Sequence, residues 1–395
     1  MQTGDIRLIK NINVRLVLNL IREQDEISGA RLAQITGMRP STISNILKEL
    51  VEKDLIINIG KGESTNKGGK RPFLWQLNKN SNYIIGLDIE IGEITALVLN
   101  ISGDIIYRKV TKTEVFDDLE KFSIQIREIV DESLKELKLK CEDILGMGIA
   151  VAGIVNHKDG VIKVTDILPD QDIPLLEALE GHFQFPLIIE NNANAAALGT
   201  KWIGVGKQCN NFITVLMEVH KQVGGLGLGL VFNQNLYHGS SFCAGELNIT
   251  LPTLDEKLLE LKRDFIKGKV LKKYINNIEN IDIDVMMNAA TLGDKVAVKL
   301  FEDFGRLLGK KIKRVVLALN PEKVILAGQI ARTGELLANS VYDELKKEYE
   351  QIYADALIVE SDDHGRYIVS IGAAALILDE FFKIPLVNTK TKVNL

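Results

Sequence analysis

Residues 189–199 read IENNANAAALG. An apolar run, Phe185, Pro186, Leu187, Ile188 and Ile189, precedes the polar residues like a short buried strand, and an alanine-rich segment of strong helix propensity follows. A strand therefore hands over to a helix at Glu190, Asn191 and Asn192. Such junctions gather ligand-binding groups in α/β proteins, because the first helical N–H groups lack partners and side chains converge on a cleft. The same residues also suit a plain N-cap with no ligand, and the rest of the chain has to decide between the two.

A chain of 395 residues suits about two or three domains with a substantial core. Hydrophobic content of 46% and charged content of 26% describe a globular protein, not a disordered or membrane-embedded one. A formal net charge of −5 confines any nucleic-acid contact to one part of the surface. Cys141, Cys209 and Cys243 lie far apart with no CxxC spacing, which argues against a disulfide framework and a zinc knuckle. With no signal-peptide core after Met1 and no apolar run of spanning length, a cytoplasmic location with no membrane partner is expected.

Residues 10 to 24 carry apolar positions at helical spacing, and residues 27 to 56 divide at Gly37 into two short helices. In the second, Ile43, Ile46, Leu47, Leu50 and Val51 form one apolar face. Ser41, Thr42, Ser44, Asn45 and Lys48 form the other, with Arg39 beside the helix start. Helix, glycine turn and helix with short polar groups at its start is the helix-turn-helix pattern, whose second helix enters the major groove. An ordinary αα-hairpin with a solvated face is the alternative. Two strands, residues 55 to 60 and 72 to 77, then enclose a basic loop bearing Lys61, Lys67, Lys70 and Arg71, which makes a winged helix. The expected DNA contacts are Arg39, Ser41, Thr42, Ser44, Asn45, Lys48, Lys67, Lys70 and Arg71, and phosphate contacts would make binding salt-sensitive.

From Tyr83 three β-rich runs, a long amphipathic helix at 117 to 139 and a buried strand ending near Val151 suggest a mixed sheet covered by helices. A second set follows: strands at NNFITVLMEV and GGLGLGLVFN, helices at about 255 to 275 and 294 to 319, a strand at KVILAG, a helix at about 334 to 350 and a last helix from Ile371. Two similar halves imply a cleft between them. Asp88, Gly153, Asn156, Asn191 and Asn192 fall at or just after strand ends, and Glu246 lies in FCAGELN. Together these groups suit a neutral polyhydroxy ligand.

GGKRP at 68–72, AVAG at 150–153, ENNANAA at 190–196, LYHG at 236–239, AGE at 244–246 and KVILAGQIARTG at 323–334 occur in an order that resembles the ROK family. That family combines sugar-responsive repressors and sugar kinases on an actin-like (ribonuclease H-like), two-lobed fold. A fused winged helix such as residues 1–80 marks its repressor branch, with xylose-type and N-acetylglucosamine-type members. The resemblance implies an N-terminal winged helix-turn-helix over 1–80, a first α/β lobe from 81–190 plus 371–395, and a second from 191–370. An effector cleft would lie between the lobes at Gly153, Asn191, Asn192 and Glu246.

The departures are informative. The family's kinases place an aspartate acting as general base where this chain has Asn192, and an amide cannot accept the proton. Their Asp-x-Gly-Gly-Thr phosphate hairpin is replaced by Asp88, Ile89, Glu90, Ile91 and Gly92, and the adenosine-side Gly-Gly by Ala327 and Gly328. The histidine of the family's zinc site, which also touches the sugar, is Ile249 here, and residues 250–265 hold no cysteine. Glu256 or Glu260 would stand for a further family glutamate. The expectation is a sugar-responsive repressor of carbohydrate genes with no catalytic residue, no ATP and no zinc. Its partners would be double-stranded operator DNA, a small sugar effector and a second copy, as a homodimer or dimer of dimers. A sugar kinase with a DNA-binding domain, or a regulator that no longer binds sugar, are the alternatives.

Overall fold

The computed structural model describes residues 6–62, 71–113, 118–219, 224–247, 251–349 and 357–384. Helix α1 (Ile6–Glu23) buries Val17, Leu18 and Ile21. Strand β1 (Ile27–Ser28) leads into α2 (Gly29–Thr36), whose N-cap Ser28 accepts a hydrogen bond from the Arg31 N–H at 3.2 Å. Gly37 ends α2 at φ 70°, a left-handed conformation that glycine adopts without a Cβ penalty. Pro40 then opens α3 (Pro40–Glu52) at a position where a missing N–H costs nothing. Ile43, Ile46, Leu47 and Leu50 are buried as the periodicity predicts, whereas Val51 is 42% exposed. Strands β2 (Ile56–Lys61) and β3 (Phe73–Leu77) pair antiparallel, and β1 adds an unforeseen third strand in the order β1-β3-β2. The loop tip with Lys67 and Lys70 lies outside the described residues.

The first large sheet takes β4 (Tyr83–Glu90), β5 (Glu93–Asn100) and β6 (Ile105–Lys112) as a meander. After α4 (Leu119–Leu137), β7 (Ile144–Val151) joins β4 in parallel. The short hairpin of β8 (Ile154–Asn156) and β9 (Val161–Val164) and the single-turn α5 (Leu175–Leu179) precede β10 (Leu187–Asn191), parallel to β7. The order is β10-β7-β4-β5-β6. Helix α6 (Asn192–Trp202) follows without a loop.

The second sheet repeats the plan. Strands β11 (Phe212–Val219), β12 (Gly224–Phe232) and β13 (Asn235–Leu236) form the antiparallel part. Helices α7 (Leu254–Leu261), α8 (Ile283–Thr291) and α9 (Lys295–Leu319) intervene. Strand β14 (Lys323–Ala327), α10 (Glu335–Tyr349) and β15 (Ile358–Ser361) complete the parallel part, in the order β13-β12-β11-β14-β15. The helix expected over 255 to 275 stops at Leu261 and continues as 3₁₀ turns, since residues 262–280 bury only isolated side chains such as Phe265, Leu271 and, at the next turn, Ile281. Helix α8 and β15 were not anticipated. The last helix, α11 (Ile368–Phe382), starts one turn before Ile371.

Helices α6 and α11 lie against each other between the two sheets, in contact with β12 and β7 respectively. Their alanine and glycine content has a packing reason. A Cβ on Gly372 would stand 1.7 Å from the Ala195 carbonyl oxygen, and one on Gly148 of β7 would stand 1.7 Å from that of Ala373. Only small residues allow this backbone approach. The outer faces are covered separately, the first sheet by α4 and α5 and the second by α7 to α10.

The winged helix shares a core with this body. Val17, Leu18 and Ile21 of α1 cluster with Ala374, Ile377, Leu378 and Phe382 of α11. Asn19 Nδ2 donates to the Phe382 carbonyl at 2.8 Å. The Arg22 guanidinium lies 4.2 Å from the Trp202 ring centroid and 4.6 Å from that of Phe382. A groove of about 720 Å³ opens beside this contact, between Gln76 and Lys79 on one side and Gln208 and Asn233 on the other. Among the described residues no helix is long and apolar enough to cross a membrane.

Candidate functional site

Asn191 ends β10 and caps α6, its side-chain oxygen accepting from the Asn194 N–H at 3.0 Å. The cap reading is thus correct as far as it goes. The amide is not spent on the cap alone, because its Nδ2 donates to the Gly153 carbonyl at 2.7 Å and lies 3.5 Å from Glu246 Oε1. The structure therefore brings Gly153, Asn191 and Glu246 together, from β7, β10 and the loop beyond β13. Gly153 has φ 129°, and a Cβ there would meet the Val164 carbonyl oxygen at 2.1 Å, so no other residue fits.

Asn192 is the first residue of α6 and is buried next to this group, its Oδ1 accepting from the Ala193 N–H at 2.8 Å. Glu246 is held opposite by a bridge to Gly227 of β12. It is open to solvent on one side, while the protein around its other sides desolvates the carboxyl and raises its pKa. Two amides, a carboxylate and a carbonyl can hydrogen-bond several hydroxyl groups, and the amide of Asn192 cannot itself take up a hydroxyl proton. Asn156 is not part of the set. Its side chain is engaged in its own turn, with the Lys158 and Asp159 N–H groups and Asp159 Oδ2.

On the far side of the α6–α11 pair the same two sheets meet again, at the end of β4. Buried Asp88 lies there with Glu90, Glu93, Thr95, Gly328 and Arg366 around a cavity of about 30 Å³. Arg366 donates to Glu93 Oε1 at 2.8 Å across the gap.

One cluster escaped sequence reasoning. His238, in the turn after β13, places Nε2 2.7 Å from Glu190 Oε2. The rings of His157 and His238 stack with centroids 3.8 Å apart, and Phe242 meets His157 edge-on at 5.4 Å. Burial, and then the neighbouring His238, lower the His157 pKa. Glu190 was read only as part of the strand–helix junction and His238 only as part of LYHG. The available signal was that two of the chain's five histidines lie next to expected site segments.

At the other end of the molecule α3 presents Arg39, Ser41, Ser44, Asn45 and Lys48 to solvent, with Thr42 half-buried. Arg39 is the N-cap residue and makes no side-chain cap hydrogen bond, while its carbonyl accepts from the Thr42 N–H at 2.9 Å. Arg71 is exposed at the start of β3's approach, while Lys67 and Lys70 lie outside the described residues, as does Ile249.

A family model described as the ROK family matches residues 84–255 and 264–380, and a model for winged helix-turn-helix DNA binding matches residues 10–57. A protein named xylose repressor from Caldicellulosiruptor bescii is 26% identical over 97% of this chain and 99% of its own length. The fold is shared with a crystal structure of a ROK family transcriptional regulator, a homologue of the E. coli MLC protein, at TM-score 0.74 and 21% identity, covering 95% of this chain and 97% of that one. It is also shared with a ROK family glucokinase from Streptomyces griseus, solved with glucose and AMPPNP, at TM-score 0.63 and 21% identity, covering 74% of this chain and 98% of that one. The chain belongs to the ROK family and carries a winged helix-turn-helix DNA-binding module ahead of its ROK region.

Proposed function

We propose that this protein is a sugar-responsive repressor of carbohydrate genes, in which the kinase-type cleft has become a sensor. The observation that carries the reading is the placement of α6. Its first residues, Asn191 and Asn192, belong to the candidate sugar site. Its last residue, Trp202, stacks under Arg22 of the winged helix. Eleven residues at 1.5 Å each make a rod of about 16 Å between the two. Trp202 and Lys201 are tied to Asp379 of α11, so both central helices move with this end.

Sugar held by Gly153, Asn191, Asn192 and Glu246 favours one angle between the sheets, and α6 passes that angle to α1. In a homodimer, half-sites about 34–36 Å apart then fall in or out of register with the two α3 helices. Arg39, Ser41, Thr42, Ser44, Asn45 and Lys48 contact the operator, and Lys67, Lys70 and Arg71 extend the contact from the wing. The sugar acts only through a difference in affinity between the two arrangements. Asn192 in place of a base, and the narrow gap at Asp88, support a protein without ATP, without the cysteine-bound zinc of its relatives and without kinase activity.

The test is operator affinity measured with and without a panel of mono- and disaccharides, D-xylose first because of the relative's name. A shift of at least about tenfold with one sugar is expected, within the usual 5–150-fold range of allosteric coupling. No response to any sugar in the panel would remove sugar control.

A further inference from the structure

We propose a divalent transition-metal site, with zinc as its best-suited ion, formed by His157, Glu190 and His238. One nitrogen from each imidazole and one Glu190 oxygen lie within 4.8 Å of one another. Imidazole and carboxylate are the donors such ions choose when no thiolate is present. In a zinc site each donor stands about 2.0–2.2 Å from the ion, which puts neighbouring donors roughly 3.3 Å apart in a tetrahedron. The His238–Glu190 contact of 2.7 Å opens slightly to admit the ion, and His157 is drawn inward.

Two further observations point to a ligand. Nδ1 of His157 is buried and has no hydrogen-bond partner among the described residues, an arrangement that normally signals a missing water or ion. The Glu190 carboxylate is already oriented. Its Oε1 accepts from the Asn191 N–H at 2.8 Å and from Asn194 Nδ2 at 3.0 Å, which leaves Oε2 turned toward His238. Such outer hydrogen bonds fix a ligand and tune its basicity.

The ligands come from both halves of the molecule. His157 follows β8 and Glu190 lies in β10 of the first sheet, while His238 follows β13 of the second. A bound ion therefore clips the two sheets together beside Asn191, with a fourth position left for water. The donor set shares no residue with the thiolate site absent here. It also stands apart from the sugar reading, since it is measured with neither sugar nor DNA present.

Untagged full-length protein, stripped with a chelator, is titrated with Co²⁺ in the visible range and with Zn²⁺ by calorimetry. One ion per chain is expected, with the ligand-field bands of four-coordinate cobalt and a higher thermal midpoint when loaded. His157→Ala and His238→Ala each weaken Zn²⁺ at least about 10–100-fold, the loss caused by removing even an outer-shell partner. His182→Ala, at an exposed position, leaves the affinity unchanged. Absence of saturable binding, a cobalt spectrum of fully hydrated type, or wild-type affinity in either histidine variant overturns the proposal. The wild-type cobalt spectrum decides the matter even if a variant fails to fold.

Discussion

Two clefts flank the α6–α11 pair, both built where a strand end of the first sheet faces the second, and they have opposite contents. At Asn191 the side-chain amide donates to the Gly153 carbonyl and lies 3.5 Å from Glu246 Oε1, with Asn192 buried next to it. The one at Asp88 is closed to about 30 Å³ and spanned by Arg366 and Glu93. A kinase needs both, one for the acceptor and one for the donor. Here the first place holds amide, carbonyl and carboxylate groups, and the second is spanned by an ion pair.

The largest effect is expected at the open cleft. Glu246→Ala should weaken binding of the effector sugar by about 10- to 150-fold by calorimetry, since a hydrogen bond to a charged group contributes roughly 1.5–3 kcal/mol. Unchanged affinity would mean that the sugar sits elsewhere. Next in size is the link out of that cleft. Trp202→Ala removes the surface on which Arg22 stacks, a contact of about 0.5–2 kcal/mol. Sugar binding should survive while the sugar-induced change in operator affinity falls roughly tenfold, and full coupling in that variant would rule out α6 as the connection.

The closed cleft should give small effects. The Arg366–Glu93 pair is partly exposed, so Arg366→Ala should cost no more than about 1 kcal/mol in denaturant unfolding. ATP should still not bind that variant, and saturable ATP binding would show that the ion pair alone shuts the site. Smallest of all is Asn192→Asp. A base is worth about 10²–10⁴ in rate only when a phosphoryl donor is in place. Coupled-assay turnover should therefore stay at background with hexoses and pentoses, and any phosphorylation by this variant would break the contrast between the clefts.

Much of this was legible in residues close together in the chain. Gly37 between two apolar-striped segments marked the helix-turn-helix, and Ile189 to Ala193 marked the strand-to-helix junction, because caps, turns and amphipathic periods are local. The two-stranded wing was foreseen, yet its third strand was not: Ile27 and Ser28 extend only by pairing with Trp75 and Leu74. Asn156 looked like a site residue by position and proved to be a turn residue. The helix expected past Leu261 gave way to 3₁₀ turns, where the core does not ask for a continuous apolar stripe.

Sequence alone determined the helix-turn-helix with its two-stranded wing, the polar face that α3 presents to solvent and the amide that stands at Asn192, since each depends on side-chain identity or short-range spacing. Tertiary structure decided what those parts do together. Arg366 reaches Glu93 across 273 positions, Phe382 receives Asn19 across 363, and His157, Glu190 and His238 meet from three separate segments. Whether the alanines of α6 were a helix-favouring run or a packing seam was likewise settled only by α11 lying against them. Such contacts follow from how twisted sheets and close-packed helices are placed in space, and no local period in the chain encodes that distance.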